Sequence, residues 1–416
     1  MKNVEETKIV ILGSGFGGIT TALKLARFAR RTDGLKIHIL SKDNFFFFTP
    51  FLVEVVTGMV ETRHIVVPVR QLFYGRRVDF TQCEVKRINL KERVICTSVG
   101  GFPYDFLVIA LGSVTNDYGL DGIAQNTFFL RSLEDALRLR RHIISVLERA
   151  DANPDSLKSG LLTFLICGAG PTGIELACGM RDMFGEVIPI FYPKIPFEKI
   201  RIVLVEAMDQ ILPGFPSALR HHVRRRLDEK RVEVLLSSPV GRADPGGVFL
   251  DDGSFYPSAT VIWTAGIKAR EILAEPELPK DHRGRIKVND YLRVEGYEGV
   301  YALGDIAACP SNQNGLLLAE AQVAVQQARW LAAHIHARLE GLAPKKFRFH
   351  RYGRLLSLGS RHAVVSFLGV RLYGFIAWWF WRTAYLFKLR GFKNKLRVMI
   401  DWTMALFFQR DMSGFG

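Results

Sequence analysis

The sequence predicts an α/β fold with two Rossmann-like dinucleotide-binding domains, followed by a C-terminal α-helical region that docks on a membrane. Three observations predict this fold. A buried-strand pattern leads into Gly-x-Gly-x-x-Gly near the start of the chain, and the same pattern recurs after residue 160. Beyond Gly369 the chain is rich in aromatic and basic side chains, a composition typical of helices that lie in a membrane interface.

The first glycine motif consists of Gly13, Gly15 and Gly18, directly after an apolar strand and directly before a helical pattern. In such a turn the first glycine permits the tight bend, the second lets a pyrophosphate approach the backbone, and the third lets the helix pack closely. Free N–H groups at the helix N-terminus favour that negative charge. The next strand ends at Ser41 rather than at the usual acid, so a ribose hydroxyl would be bound more weakly unless Asp43 substitutes.

The second motif consists of Gly168, Gly170 and Gly173, and it has the acid that the first one lacks. Glu206 ends the next strand, where its carboxylate can accept a hydrogen bond from a ribose 2′-hydroxyl and would repel a 2′-phosphate. The residues after Glu206 include no arginine to bind such a phosphate. We therefore expect this domain to prefer NADH to NADPH.

The composition restricts the cellular locations and the binding partners that can be expected of the protein. The 416 residues carry a formal net charge of +15, which favours an anionic partner. Zinc-finger spacing, an RNA-recognition signature and a basic arm are lacking in the sequence, so no nucleic acid is expected. The five cysteines are scattered and none forms Cys-x-x-Cys, which favours reduced, buried thiols. The start, Met1 to Glu6, leads into the first strand without a signal peptide, so a cytoplasmic location is expected.

The C-terminal tail interleaves aromatic residues with bases, and charges interrupt both of its apolar runs. Neither run is the clean stretch of roughly 18 or more apolar residues that a membrane-spanning helix needs. One side of a helix here would gather Leu396, Met399, Ile400, Thr403, Leu406 and Phe407. We expect a helix lying on an anionic membrane surface, with a dimer interface or an ordinary core helix as the alternatives.

Several other segments are interpreted by their pattern. Val78 to Val94 predicts strands of a small meander, Asp151 to Ser159 a linker, and Val187 to Lys199 an insertion. Asp305 follows Leu-Gly at the end of a buried strand, where ligands bind in open α/β sheets.

Together these motifs resemble those of the type II NADH:quinone oxidoreductases, single-subunit flavoproteins with two dinucleotide-binding domains. Besides the two glycine motifs, the likeness is carried by segments 48–58, 110–113, 263–266, 303–305 and 321–326. The last, Ala-Gln-Val-Ala-Val-Gln, has the form of the family's quinone site and is the most specific. The departure is Ser41, where the family tends to have an acid.

The resemblance implies a domain order and an activity. The FAD domain would comprise residues 1–115 and 281–345, the inserted NADH domain residues 116–280, and the membrane-associating domain residues 346–416. The enzyme would oxidise NADH and pass two electrons through FAD to a membrane quinone, with no metal. Without several membrane spans, no route for proton pumping is expected. It would bind peripherally at the inner face of the cell membrane, and a homodimer is left open.

The resemblance also implies site residues. FAD would be held by Gly13, Gly15, Phe16, Gly17, Gly18, Ser41, Lys42, Thr49, Ala110, Gly112, Asp305, Ala321 and Gln322. NADH would be held by Gly168, Gly170, Gly173, Glu206, Ala265 and Gly266. Glu175, Gln322 and Gln326 would be catalytic, near the nicotinamide, the flavin and the quinone. The alternative for Glu175 is an acid near the helix start that compensates the helix dipole, and the functional role is favoured. The two glutamines lie one turn apart, and without the resemblance they would be interpreted as solvated side chains.

Two other functions are considered. A sulfide:quinone oxidoreductase shares this fold and tail but needs a redox cysteine pair, and neither Cys167 nor Cys178 fits that role easily. A non-enzymatic, redox-sensing flavoprotein is favoured only by Ser41.

Overall fold

A computed structural model of the chain describes residues 6–30, 34–154, 159–311, 315–343 and 345–413. Two predicted segments lie partly outside these ranges. They are residues 1–5, on which the expected cytoplasmic location partly rests, and residues 155–158 of the expected linker. The helices are α1 Phe16–Phe28, α2 Leu52–Val56, α3 Val69–Phe73, α4 Ile123–Asn126, α5 Leu133–Ala152, α6 Pro171–Phe191, α7 Ser217–Glu229, α8 Ala321–Leu339, α9 Gly374–Lys388 and α10 Phe392–Met404.

The strands are short and follow the helices in the alternation that the sequence predicts. The first thirteen are β1 Thr7–Leu12, β2 Leu35–Ser41, β3 Phe45–Phe47, β4 Val66–Pro68, β5 Asp79–Gln82, β6 Val85–Asn89, β7 Val94–Thr97, β8 Gly100–Pro103, β9 Phe106–Ile109, β10 Ser113–Thr115, β11 Phe128–Phe129, β12 Thr163–Cys167 and β13 Arg201–Val205. The others are β14 Glu233–Leu235, β15 Val240–Asp244, β16 Gly247–Leu250, β17 Phe255–Pro257, β18 Thr260–Trp263, β19 Ile267–Ala269, β20 Ala274–Glu275, β21 Ile286–Lys287, β22 Val300–Ala302, β23 Ala307–Ala308, β24 Gly353–Ser357, β25 Ala363–Phe367 and β26 Val370–Tyr373.

The chain forms two compact units. The first comprises residues 1–47, 67–114 and 267–351, and the second comprises residues 48–66, 115–266 and 352–416. Each unit therefore contains one glycine motif. The C-terminal tail belongs to the unit that contains the second motif.

A five-stranded parallel sheet in the order β22-β9-β1-β2-β5 is the centre of the first unit. Ile9, Ile11 and Leu12 of the central strand β1 are fully buried, as expected of a strand between parallel neighbours. Helices α1 and α8 pack against each other in this unit. A second sheet, in the order β20-β6-β7-β8, contains the antiparallel meander.

Strand β5 differs from the expected meander. It pairs in parallel with β2, from His38 opposite Asp79 to Ser41 opposite Gln82, and the meander begins only at β6. The physical reason is that Phe80 of β5 is buried at the edge of the parallel sheet, a tertiary contact that local alternation does not specify.

The second unit repeats this plan with a five-stranded parallel sheet in the order β11-β18-β12-β13-β14. Its core includes the buried residues Leu165, Val203 and Trp263, and the small antiparallel sheet β15-β16-β17 contributes Val248. Helix α6 continues to Phe191, so the segment expected to be an insertion from Val187 begins within the helix.

The tail of the second unit folds as the antiparallel sheet β24-β25-β26 followed by α9 and α10. Within the described ranges, no helix combines the length and the apolar content that crossing a membrane requires. The unit also contains α2, which packs against α6 near Gly179. A Cβ atom added there would lie 3.1 Å from Cγ2 of Thr57.

Candidate functional site

The first glycine turn is shaped by contacts that only glycine permits. Gly13 has a φ of +99°, and a Cβ atom on it would lie 2.6 Å from the carbonyl oxygen of Ala110. A Cβ atom on Gly18 would lie 1.9 Å from the carbonyl oxygen of Gly13. Gly15, in contrast, has no atom of the chain within 4 Å of its Cβ position. The two outer glycines therefore close the turn, while the middle one faces open space.

This open space fits a pyrophosphate. Gly15 is the N-cap of α1, which begins at Phe16 and runs for 13 residues, so the first N–H groups of the helix border the space. The ring of Phe16 packs edge-on against Phe46, with 5.2 Å between the ring centroids. Gly17 packs against β22's end, since its Cβ would lie 2.2 Å from Cδ1 of Leu303. The turn can therefore hold the phosphates of FAD at a helix N-terminus.

Ser41 takes part in a buried hydroxyl pair at this turn. Its Oγ lies 2.8 Å from Oγ of Ser14, and both residues are buried. The adjacent Lys42 is exposed at its side chain, and its carbonyl oxygen accepts a hydrogen bond from Nε2 of Gln82 at 3.0 Å. The end of β2 thus presents hydroxyl groups, which can bind a ribose hydroxyl. The corresponding strand end of the second motif presents a carboxylate instead.

Asp305 lies in a helical turn, Gly304–Ile306, that follows β22. Oγ of Ser113 donates a hydrogen bond to Oδ2 of Asp305 at 2.7 Å. The backbone N–H of Gly304 donates to Oε1 of Gln327 at 2.7 Å, and Gln327 is buried on α8. Gln327 was not among the predicted site residues. Sequence alone does not distinguish a buried glutamine such as Gln327 from a solvated one, and Gln327 directly follows the motif that drew attention to Gln322 and Gln326.

The remaining predicted FAD residues are distributed over both units. Ala110 and Gly112, with a φ of +70°, follow β9 in the first unit, and Ala321 begins α8 there. Thr49 belongs to the second unit, in a helical turn that spans Thr49–Phe51. The roles of these residues remain predictions.

The second glycine turn has nearly the same geometry as the first. Gly168 has a φ of +109°, and a Cβ atom on Gly173 would lie 2.0 Å from the carbonyl oxygen of Gly168. Gly170 is the N-cap of α6 and has no atom of the chain within 4 Å of its Cβ position. A second dinucleotide pyrophosphate therefore has the same kind of open space here.

Glu206 closes the second turn. Its Oε2 accepts a hydrogen bond from the backbone N–H of Ala169 at 2.6 Å, and its Oε1 accepts one from Met208 at 3.0 Å. These two bonds fix the carboxylate beside the open space at Gly170. A carboxylate in this place accepts hydrogen bonds from ribose hydroxyls and repels a phosphate.

Ala265 and Gly266 lie against the same turn after β18. A Cβ atom on Gly168 would lie 2.9 Å from Cα of Ala265, so the two backbones touch. Gly266 has a φ of +105°, and its Cβ position lies 2.4 Å from the hydroxyl oxygen of Tyr118. Tyr118 itself has a φ of +54° and is 61% exposed. Tyr118 was not among the predicted site residues, since the loop that contains it has no motif.

Glu175 lies one turn into α6 and is half-buried. Its Oε1 accepts a hydrogen bond from the backbone N–H of Ser357 at 2.9 Å. Burial, opposed by the hydrogen bond from Ser357 and aided by the nearby carboxyl group of Glu54, raises the pKa of Glu175 to about 8. Glu175 therefore holds a proton at neutral pH and can donate it.

The two predicted quinone glutamines, Gln322 and Gln326, are half-buried on the first turns of α8. Nε2 of Gln322 donates to Oε2 of Glu320 at 2.6 Å, and Glu320 is paired with Arg351 at 2.8 Å. Gln326 bonds the backbone of His350 in both directions, at 2.8 and 3.1 Å. The glutamines therefore have different partners, and neither is a merely solvated side chain.

Two further features bear on the chemistry. All five cysteines are free thiols, and burial raises the pKa of Cys167 and of Cys178 to about 12, so neither is a reactive thiolate. Among the described residues, no three His, Cys, Asp or Glu side chains are placed to hold a metal ion.

The chain matches two family patterns that together span most of its length. One is described as pyridine nucleotide-disulphide oxidoreductase and matches residues 7–328, and the other is the NDH2 C-terminal domain, which matches residues 352–411. A probable NADH dehydrogenase of Dictyostelium discoideum is 32% identical over 427 aligned residues, which cover 100% of this chain and 92% of that protein.

A second relative and a solved structure agree with this match. The type II NADH:quinone oxidoreductase Ndh of Mycobacterium tuberculosis is 30% identical over 420 residues, covering 97% of this chain and 89% of that protein. The structure of NDH2 from Plasmodium falciparum in complex with NADH has the same fold, with a TM-score of 0.89 at 20% identity, covering 98% of this chain and 100% of that one. The predicted fold class and the resemblance are therefore confirmed. The chain belongs to the type II NADH:quinone oxidoreductases, FAD-dependent NADH dehydrogenases of the pyridine nucleotide-disulphide oxidoreductase family.

Proposed function

We propose that this chain oxidises NADH in its second unit and delivers two electrons to a membrane quinone, without pumping protons. The observation that carries the proposal is the pair of glycine turns with one geometry, of which the second is closed by the carboxylate of Glu206. FAD, when bound, supplies the redox chemistry, since it can accept a hydride and release two electrons to a quinone.

The residues of the chain bind and orient the two dinucleotides. The N-terminus of α1 and the open side of Gly15 hold one pyrophosphate, and the N-terminus of α6 and the open side of Gly170 hold the other. Glu206 accepts hydrogen bonds from the adenosine ribose of NADH and disfavours the 2′-phosphate of NADPH.

Glu175 and Gln322 serve the quinone. Reduction of a quinone by NADH consumes one proton beyond the hydride, because NADH + H⁺ + quinone gives NAD⁺ + quinol. Glu175 is protonated at neutral pH and is therefore able to hold that proton before it is transferred. Gln322, held by Glu320 at 2.6 Å, orients the quinone headgroup through its amide.

The tail docks on an anionic membrane surface at the inner face of the cell membrane. On α10, Leu396, Met399 and Ile400 are 43%, 46% and 49% exposed, whereas Val398 on the opposite side is fully buried. An apolar stripe that is exposed, next to exposed bases such as Lys393, is what a helix lying in a lipid interface needs. A homodimer that covers the same stripe is the competing arrangement.

The free, high-pKa thiols disfavour the alternative of sulfide oxidation. Sulfide chemistry needs a reactive cysteine pair, and Cys167 and Cys178 are buried with raised pKa values. Rapid mixing of the oxidised protein with sulfide and, separately, with NADH distinguishes the two activities.

An absorbance experiment tests the proposal. Protein extracted from membranes should be yellow, bleach when NADH is added without oxygen, and regain its colour when a short-chain quinone follows. Bleaching by sulfide but not by NADH would favour the alternative enzyme. Protein that binds FAD but does not bleach with NADH would favour a redox-sensing protein without this activity.

A further inference from the structure

Four helices of the second unit contribute residues to a small cavity that Glu175 lines. We call it the four-helix cavity. It has a volume of about 30 Å³ and is lined by Glu54 of α2, Glu175 of α6, Trp381 and Arg382 of α9, and Trp402 of α10. Since a water molecule needs roughly 10–15 Å³ of such space, the cavity has room for about two.

Two residues that line this cavity have a buried donor without a partner among the described residues. Within the part of the chain that the structure describes, Nη2 of Arg382 and Nε1 of Trp381 have no hydrogen-bond partner, and these residues are only 6% and 3% exposed. A buried polar group without a partner destabilises a fold, and a charged one does so most. These donors therefore indicate that an acceptor, such as water, lies in the cavity.

Arg382 is fixed in place by two aromatic rings. Its guanidinium carbon lies 4.2 Å from the ring centroid of Trp378 and 4.4 Å from that of Trp402, so the cation is held between two ring faces. Arg410, which also lines the cavity, is engaged differently. It pairs with Glu186 at 2.9 Å and donates to the carbonyl oxygen of Thr57 at 3.1 Å. Of these two arginines, Arg382 is the one with donor capacity left for the cavity.

Glu54 and Glu175 bring two carboxyl groups to the cavity. Burial raises the pKa of Glu54, and the charges of Arg382 and Arg410 and a hydrogen bond with Trp402 oppose that shift. The charge of Glu54 raises the pKa of Glu175. Burial and the charge of Glu175 in turn raise the pKa of the Tyr385 phenol. Two neighbouring carboxyl groups titrate as a pair, so the charge on one sets the proton affinity of the other.

We propose that Glu54 is a positioning residue for the quinone reaction: with Arg382 and water in the four-helix cavity, it keeps a proton on Glu175 and replaces that proton after each transfer. The inference deepens the proposed function and rests on it. In each turnover the hydride of NADH supplies two electrons and one proton to the quinone. Glu175 supplies the second proton and regains it from solvent through the water beside Glu54, so that atoms and charge balance.

Three charge-removing variants test this proposal in the FAD-loaded enzyme. Glu54→Gln removes a carboxyl group that, besides burial, helps to raise the pKa of Glu175, so the alkaline limb of the pH profile for quinone reduction should move to lower pH. Glu175→Gln should abolish that limb. Glu134→Gln, which removes an exposed carboxylate in the first turn of α5, is the matched control and should superimpose on the wild type.

Two readouts separate this inference from the proposed function. Anaerobic bleaching by NADH should be unchanged in Glu54→Gln, because Glu54 is proposed to act on the proton that only quinone reduction consumes. Infrared spectra of the protein without substrates should show the carboxylic acid C=O bands of both residues titrating with pH, and in Glu54→Gln the band that remains should titrate at lower pH than in the wild type.

The outcomes are distinct. Wild-type protein that bleaches with NADH but is not reoxidised by a quinone would overturn the proposed function. A Glu54→Gln pH profile and infrared titration identical to the wild type, in protein that reduces quinone, would overturn this inference alone. If Glu54→Gln does not fold, Glu54→Asp takes its place, since it withdraws the carboxyl group from the cavity and should shift the same limb in the same direction.

Discussion

The side-chain amide of Gln326 clamps the main chain of His350. Its Nε2 donates to the carbonyl oxygen of His350 at 2.8 Å, and its Oε1 accepts from the N–H of His350 at 3.1 Å. Gln322, one turn earlier on α8, is instead held by Glu320. The two glutamines of the most specific motif, both predicted to be catalytic, therefore have different partners, which leads to different expectations for their variants.

Replacement of the two glutamines should separate stability from quinone reduction. Gln326→Leu loses both bonds to His350, so the free energy of unfolding should fall by about 1–2 kcal/mol. Gln322→Leu should lower the rate of quinone reduction by roughly tenfold or more, with less effect on stability. Both variants should still bleach at the wild-type rate with NADH. Stopped-flow absorbance of each half-reaction and thermal unfolding measure these effects, and loss of both half-reactions together in Gln322→Leu would contradict its role.

The middle glycines of the two turns should distinguish the two dinucleotides. Alanine at Gly15 or Gly170 meets no atom of the chain within 4 Å, and the φ values of −76° and −75° suit any residue, so both variants should fold. The added methyl group instead fills the space for a pyrophosphate. Gly15→Ala should purify with little FAD, whereas Gly170→Ala should keep FAD and raise the KM for NADH by roughly tenfold or more. Absorbance ratios and steady-state kinetics measure both effects, and a fully yellow Gly15→Ala protein would contradict the assignment.

Glu206 should set the preference between NADH and NADPH. Glu206→Gln keeps an acceptor for the N–H of Ala169 but removes the charge that repels a 2′-phosphate. The ratio of kcat/KM for NADH to that for NADPH should therefore fall by roughly tenfold, with kcat for NADH nearly unchanged. Steady-state kinetics with both nucleotides measures the ratio. An unchanged ratio would mean that another residue excludes NADPH.

Ionisation of Glu175 should limit the rate of quinone reduction at alkaline pH. Since the protonated form is the donor, quinone reduction should be constant at neutral pH and fall roughly tenfold per unit well above its pKa of about 8. The same shift affects stability. The folded-state pKa lies above the ordinary value of 4.5, so ionisation disfavours the fold, and stability is lost as the pH rises toward and through about 8. Glu175→Gln lacks this loss and should unfold at a higher temperature than the wild type above pH 8. Thermal unfolding at several pH values checks the sign.

The exposed stripe of α10 should bind anionic lipid. Replacing both Met399 and Ile400 by Asp places charge where apolar contact with the membrane is proposed, so binding to vesicles that contain phosphatidylglycerol should fall roughly tenfold or more. Leu273→Asp, at an equally apolar but separate position that is 72% exposed, is the matched control. Co-sedimentation measures binding, and added salt should weaken it because Lys393 and its neighbouring bases contribute. If the double variant binds vesicles normally but becomes monomeric, the stripe is a dimer interface.

The order of elements and both glycine turns could be predicted because each depends on residues adjacent in sequence. The apolar run of β1, the glycines after it and the helical pattern of α1 all lie within one short segment. The acid of Glu206 was predictable for the same reason, since it directly follows β13.

The four-helix cavity could not be predicted, because its residues come from four separate helices. From sequence, all of the tail's aromatic residues and bases were expected to lie at a membrane interface. The structure divides that set: Trp378, Trp381, Trp402 and Arg382 are buried, while Phe407 is 77% exposed. Composition does not show which side chains of a helix other elements cover. Only tertiary packing therefore distinguishes the buried side chains of the tail from the exposed ones.

The two glycine turns are near copies of each other, yet one is proposed to hold a dinucleotide permanently and the other to release its dinucleotide in every cycle. Because the two turns match, FAD, which stays bound, and NADH, which leaves in every cycle, meet the same backbone groups at their phosphates. The longer residence of the FAD must then come from contacts outside the turns, because the enclosed serine hydroxyls at its strand end bind a ribose more weakly than the carboxylate in the other unit does.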